Sequence, residues 1–301
     1  MTPTVLETLQ EIGKQLDRNI YPSVHNGGFV MPCAADVPET KGRGKTDERQ
    51  RSRRSKTGSR DGTTGRQGPT GETPSVICTE LQSQYETELD AVYEAYPKTR
   101  VWQQSDGLLL LTESALIKDL DRTAHFLVAI PYSKQSMAKG WGFWGVSAVG
   151  AEWIGPRHTN FPDGSICAFE PSDGTWKIGY PLVQLLDLYS LWALRHLHMK
   201  ALGRWPGYQA VRSRYERILE LRPDEYCGCE HSDRLYGECC QKGDLAENTV
   251  AGAIAFNKKH HNWHRKPPTI VTDFVITRSN PPNINDVVFI PSGGYNEPQC
   301  F

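Results

Sequence analysis

Residues 38–75 contain no Ala, Val, Ile, Leu, Met, Phe, Trp, Tyr or Cys. A segment without apolar side chains has nothing to bury against the entropy of ordering it. It is expected to be a disordered linker that divides the chain. It holds ten Lys/Arg against five Asp/Glu, a surplus of five positive charges. The whole chain carries a net charge of −1, so the remainder carries −6. No aromatic residues interleave the basic ones, so the segment reads as a solubilising tether rather than a tail for nucleic acid.

Before the linker, residues 1–37 form a short helical segment. Val5, Leu9, Ile12 and Leu16 recur at helical spacing, with Thr4 as an N-cap, and a turn-rich stretch follows. After the linker, Leu81, Tyr85, Leu89, Val92 and Tyr96 predict an amphipathic helix over 76–98 that ends at Pro97. Strands are expected at Val101–Gln104, Leu108–Thr112 and His125–Ile130. A stretch containing Trp141, Trp144 and Trp153 leads into a loop over 156–176, and a largely apolar helix runs from about Pro181 to Leu202. Helix, sequential strands, long loop, helix: this order predicts an α+β fold with an antiparallel meander flanked by helices. Another helix is expected over 208–222, then a cysteine cluster. Residues 251–301 are read as a helix, a turn with His260, His261 and His264, and strands at Thr269–Ile276 and Asp286–Ile290.

No run approaches the roughly 20 apolar residues that span a bilayer. The N-terminus lacks a basic region followed by an apolar block, so no secretory signal is expected. A cytoplasmic protein without a membrane partner is the expectation. In that compartment clustered cysteines point to metal rather than to disulfides.

The loop reads Arg157-His158-Thr159-Asn160-Phe161-Pro162-Asp163-Gly164-Ser165-Ile166-Cys167. A thiol in a Gly/Pro/Asp-containing loop between strands and a helix is a candidate nucleophile. A neighbouring Asn can donate to the oxyanion of an acyl-transfer intermediate or cap the turn. Glu170 and Asp173 are candidates to orient or deprotonate an amine, or are solvated loop carboxylates.

The order of these residues resembles the signature of ubiquitin-conjugating enzymes: His-Pro-Asn, a short turn, Gly-x-Ile-Cys, then a Trp and a helix opening near a Pro. The resemblance covers roughly 76–200. It implies that Cys167 carries a ubiquitin-like protein as a thioester, received from an activating enzyme and passed to a target lysine. It further implies that Asn160 supports the loop and the oxyanion, that His158 bonds loop backbone, and that Trp176 packs beneath the site. The sequence departs from the pattern in three places. Thr159 replaces the Pro, Asn160 and Cys167 are one residue closer than is usual, and Ala168-Phe169-Glu170 follow the Cys. These departures point toward divergent bacterial relatives in conjugation operons, some of them in antiviral defence. The competing readings are a non-catalytic adaptor of the same fold and a nucleic-acid-associated protein tethered by the linker.

Cys227, Cys229, Cys239 and Cys240 form two pairs around a short loop. Four thiolates so spaced can close a tetrahedral zinc site, which has no open position for catalysis, so the expected Zn2+ is structural. His231 is an alternative ligand, and redox-active thiols are the competing reading. The pattern resembles the SEC-C zinc motif, with a loop one residue longer than is typical and Tyr236 near its aromatic position. The motif implies a surface for protein partners. Cys33, Cys78 and Cys300 show no ligand spacing. The expected organisation is a helical segment (1–37), a linker (38–75), a conjugating-type domain (76–205), a helix with the zinc motif (206–245) and a C-terminal extension (246–301).

Overall fold

The computed structural model describes residues 3–18, 23–25, 28–30, 74–115, 122–169, 174–211, 213–229, 234–259 and 265–288. Residues 38–73 of the basic linker lie outside these, and its last two, Pro74 and Ser75, already belong to a helix. The expected linker boundary is therefore two residues too long.

The core is a five-stranded antiparallel meander in sequence order. Its strands are β3 (Arg100–Gln104), β4 (Gly107–Glu113), β5 (His125–Pro131), β6 (Lys139–Ser147) and β7 (Gly150–Trp153), following a small hairpin of β1 (Ser23–His25) and β2 (Gly28–Val30). Central pairing sets Leu109 opposite Ala129 and Leu127 opposite Trp141. In β4 the run Leu108–Leu111 is buried on both faces. Leu108 and Leu110 face the main core, and Leu109 and Leu111 face a second one. A sheet covered on both sides gives a continuous apolar run instead of an alternating one.

Helices α1 (Pro3–Asp17), α2 (Pro74–Ala95) and α3 (Leu182–Leu202) build the first layer. Leu81, Tyr85, Leu89, Val92 and Tyr96 are all buried there, as their spacing predicts. Leu9, Ile12 and Leu16 of α1 join the same core. The helix begins at Pro3, so Thr4 lies inside it and is not its cap. The N-terminus of α3 lacks a side-chain cap of its own. Glu88 of α2 accepts from the Leu182 amide at 2.8 Å and meets one of the amides that every helix start leaves unpaired. Gly203 closes the other end in the left-handed region.

The second face of the sheet is covered by α7 (Thr269–Thr277) and α8 (Ile284–Val288). Both regions were expected to be strands. They are helices because Val271, Phe274 and Val275, and then Ile284, Val287 and Val288, lie at helical spacing and bury against the sheet. The helix expected over 208–222 is shorter, α4 (Arg214–Glu220). It is followed by α5 (Gln241–Ala246) and α6 (Val250–Lys259). Among the described residues no helix is long and apolar enough to cross a membrane.

Candidate functional site

The chain leaves β7 into a tight hairpin, 156–167, that returns toward α3. Thr159 and Ile166 form its bridge, and the Asn160 amide donates to the Ser165 carbonyl at 2.7 Å. The Ile166 amide donates to the Gly140 carbonyl of β6 at 2.7 Å, fixing the returning arm to the sheet. Trp141 Nε1 donates to the Asp163 carbonyl at 2.8 Å, and the Asp163 carboxylate takes Lys139 at 2.5 Å and the Ser165 amide at 3.0 Å. Gly164 has φ 62, and a Cβ there would come 2.8 Å from Trp153 Cζ2 and 2.9 Å from the Lys266 carbonyl carbon. Only glycine fits both demands.

Cys167 closes this hairpin, half-buried, with its amide donating to the His158 carbonyl at 3.0 Å. That carbonyl also accepts from Trp192 Nε1 of α3 at 2.9 Å. Asn160 lies on the same hairpin. Its Nδ2 contacts Ser165 Oγ at 3.2 Å and the Ile166 carbonyl at 3.3 Å. Both amide hydrogens are thus engaged within the loop, and Oδ1 is buried with no partner among the described residues. Trp176 is buried, donates to the Pro181 carbonyl at 2.9 Å and packs with Phe169 at 6.1 Å between ring centres.

His158 has φ 49 and lies tilted against Trp205, with ring centres 4.3 Å apart. Burial, aided by the charge of Arg157, holds its pKa well below the ordinary histidine value. Its Nε2 meets Gln209 Oε1 at 3.0 Å. The Gln209 amide is oriented by its own bond to the Tyr226 carbonyl at 2.6 Å, and Oε1 also accepts from Arg157 at 2.8 Å. An acceptor facing Nε2 requires that nitrogen to carry the proton, so the ring is a neutral, fixed tautomer.

Three parts of this framework were not anticipated from the sequence. Arg157 is buried and makes two bonds to Glu225, at 3.0 and 2.6 Å. Gln209 joins His158, Arg157 and Tyr226. Arg265 bonds the Thr159 carbonyl at 3.2 Å and pairs with Glu216 (3.2 Å) and Glu220 of α4, while lying over Phe161. Burial, with Glu220 adding, pushes the Glu216 carboxyl up to about 7, against the opposing pull of Arg265. Apart from the Gln209–Tyr226 contact, these link residues 45 to 106 positions apart, and no local pattern announces such pairs.

The four cysteines of the second candidate site converge. Their sulfurs lie within 4.8 Å of one another, with Cys229 to Cys239 at 3.6 Å and Cys239 to Cys240 at 3.8 Å. A tetrahedron with metal–sulfur bonds of about 2.3 Å has edges of about 3.8 Å, so the spacing fits a metal ion. Gly228 sits between the first pair at φ 71, where a Cβ would strike the Val211 amide nitrogen at 2.6 Å. Partial burial and the neighbouring thiols raise the Cys239 and Cys240 pKa values, so four thiolates need a cation between them. His231, Glu170, Asp173, the three histidines at 260, 261 and 264, Cys33 and Cys300 fall outside the described residues, and the side chain of Cys78 is likewise undescribed.

Compared with known proteins, the chain matches no family model, no curated protein and no solved structure.

Proposed function

We propose that the protein is a conjugating enzyme of the ubiquitin-conjugating type. The observation that carries this reading is Cys167: a half-buried thiol on backbone pinned to His158, on a hairpin between a meander and a long helix. Its sequence context resembles the signature of that family. In the first step the Cys167 thiolate attacks the thioester carbonyl that joins a ubiquitin-like protein to an activating enzyme. A new C–S bond forms and the activating enzyme's thiolate leaves. In the second step a target lysine amine attacks the Cys167 thioester, an amide bond forms, the thiolate leaves and the amine loses a proton to solvent. Asn160 serves here as the brace of the Ile166 carbonyl beside the thiol. His158, neutral and hydrogen-bonded, holds the loop rather than moving protons. The tetrathiolate site holds structural zinc in this reading.

The competing reading is an adaptor of the same architecture that binds ubiquitin-like or other protein partners without chemistry. Its support is the engagement of both Asn160 amide hydrogens within the loop, which leaves that side chain no donor for an oxyanion. The deciding experiment mixes the protein with activating enzyme, ubiquitin-like protein and ATP, and reads intact mass with and without reductant. The conjugating reading expects a thiol-sensitive adduct, absent in Cys167→Ala and thiol-resistant in Cys167→Lys. No adduct, under conditions where the activating enzyme itself is charged, would favour the adaptor.

A further inference from the structure

We propose, resting on the assignment of Cys167 as the working thiol, that occupancy of the four-cysteine site sets the conformation of the Cys167 loop. The two sites are joined by a buried chain of polar contacts. Glu225, fully buried, stands two residues before Cys227. One of its carboxylate oxygens accepts from Arg157 (3.0 Å) and the Trp205 amide (2.6 Å). The other accepts from Arg157 (2.6 Å) and the Arg222 amide (3.1 Å). Arg157 is followed directly by His158, whose carbonyl holds the Cys167 amide. A second strand of the same link runs from the Tyr226 carbonyl through Gln209 to the His158 ring.

The arms that hold Glu225 and Tyr226 in place are the arms that carry the cysteines. Tyr226 bridges Leu235, the Cys227 amide donates to the Arg234 carbonyl at 2.8 Å, and the Tyr236 amide donates to the Glu225 carbonyl at 2.8 Å. Apart from the sulfurs, the buried apolar core of this module among the described residues is small, consisting of Val211, Leu221 and Tyr236. So few buried side chains do not hold two arms together without a staple, and a metal on four thiolates is one. When the ion leaves, the arms lose their tie. Glu225 and the Tyr226 carbonyl then lose fixed positions, and Arg157 must seek water. The loop from Arg157 to Cys167 loosens, while the meander, packed by helices on both faces, stays closed.

The test needs neither activating enzyme nor ubiquitin-like protein. The full chain is prepared with zinc and then stripped with a chelator, and its metal content is read by native mass. Cys167 alkylation by iodoacetamide is followed by peptide mapping, beside hydrogen exchange of residues 157–167 and 107–131. Stripping is expected to speed Cys167 labelling about tenfold and to open the loop amides, with 107–131 unchanged and zinc alone restoring both. Gln209→Ala, and Glu225→Gln where it folds, are expected to open the loop partly with zinc retained. Unchanged labelling and exchange in the stripped protein would overturn the coupling. So would equal opening of 107–131, because the metal would then hold the whole fold and not the loop. An inert Cys167 in the charging experiment, with the coupling intact here, would sink the conjugating reading alone.

Discussion

Glu216 and His196 respond to pH in opposite senses, and the signs follow from their surroundings. Burial lowers the His196 pKa to about 3, against an ordinary 6.5, while its Nε2 bonds the Arg157 carbonyl at 2.9 Å. A folded-state pKa below the unfolded value gives stability that is full above pH ~6.5 and is lost as pH falls toward ~3. The bound is about 5 kcal/mol over that whole window, of which about 3 kcal/mol falls between pH 7 and pH 4, and denaturant titrations over that range should show a decline up to that size. Glu216 has a raised pKa of about 7. The folded state then binds the extra proton, so stability falls as pH rises from about 4.5 to about 7. Glu216→Gln should therefore stabilise the protein at pH 8, by on the order of 2 kcal/mol, and change little at pH 4. An equal effect at both values would show that desolvation of the carboxylate is not the cause. The Arg157–Glu225 pair is a third residue-scale case. Its side chains are 6% and 0% exposed. Glu225→Ala leaves a buried guanidinium unpaired, and equilibrium unfolding should register a loss of about 3–5 kcal/mol.

Among the elements, α7 and α8 do most to separate a reading of the sequence from the folded chain. Thr269–Thr277 is rich in β-branched residues, and by propensity it is a strand. Its apolar positions nonetheless also fit a helix, and the sheet face formed by Leu109, Leu111, Leu127, Trp141 and Phe143 decides between the two. Phe274 meets Trp102 edge-on at 5.0 Å. Phe274→Ala should cost about 3–5 kcal/mol in urea unfolding, and a loss under 1 kcal/mol would mean that this helix does not seal the sheet. By contrast α2 and α3 were legible, α2 because its apolar residues repeat at one period along a buried face and α3 because it is apolar over most of its length and is buried on most sides. The candidate site was legible as a loop in its residue order, and the hairpin bridge within it comes only from the structure. Its glycine and its Asn–Cys order are sequence facts, but the inward turn of the Asn160 amide depends on Ser165 and Ile166 across the bridge.

For the whole molecule, the basic linker separates α1 in sequence from a core that α1 helps to build. Leu9 and Leu16 are fully buried, a Cβ on Gly13 would meet the His198 ring, and Asp17 holds both Arg204 (2.6 Å) and the Gly207 amide (2.7 Å). Burial of Leu9, Ile12 and Leu16 contributes roughly 5–8 kcal/mol. Trypsin should cut among the ten Lys/Arg of 38–75 and leave the N-terminal piece bound to the rest through gel filtration. Separation of the two pieces without denaturant would refute this docking.

The sequence by itself determined the presence of helices around Val5–Leu16, over 76–98 and from about Pro181 to Leu202, the order of the first strands and the convergence of four cysteines. Each rests on a short-range regularity: a period of 3.6, a period of 2, or paired thiols around a turn. Only the tertiary structure decided that the second sheet face is helix-covered, that Asn160 is spent on its own loop, and that Arg157 pairs with Glu225. Those outcomes depend on where a distant segment returns in space. Desolvation makes such a return decisive, because a buried charge or amide must take whatever partner the fold brings to it.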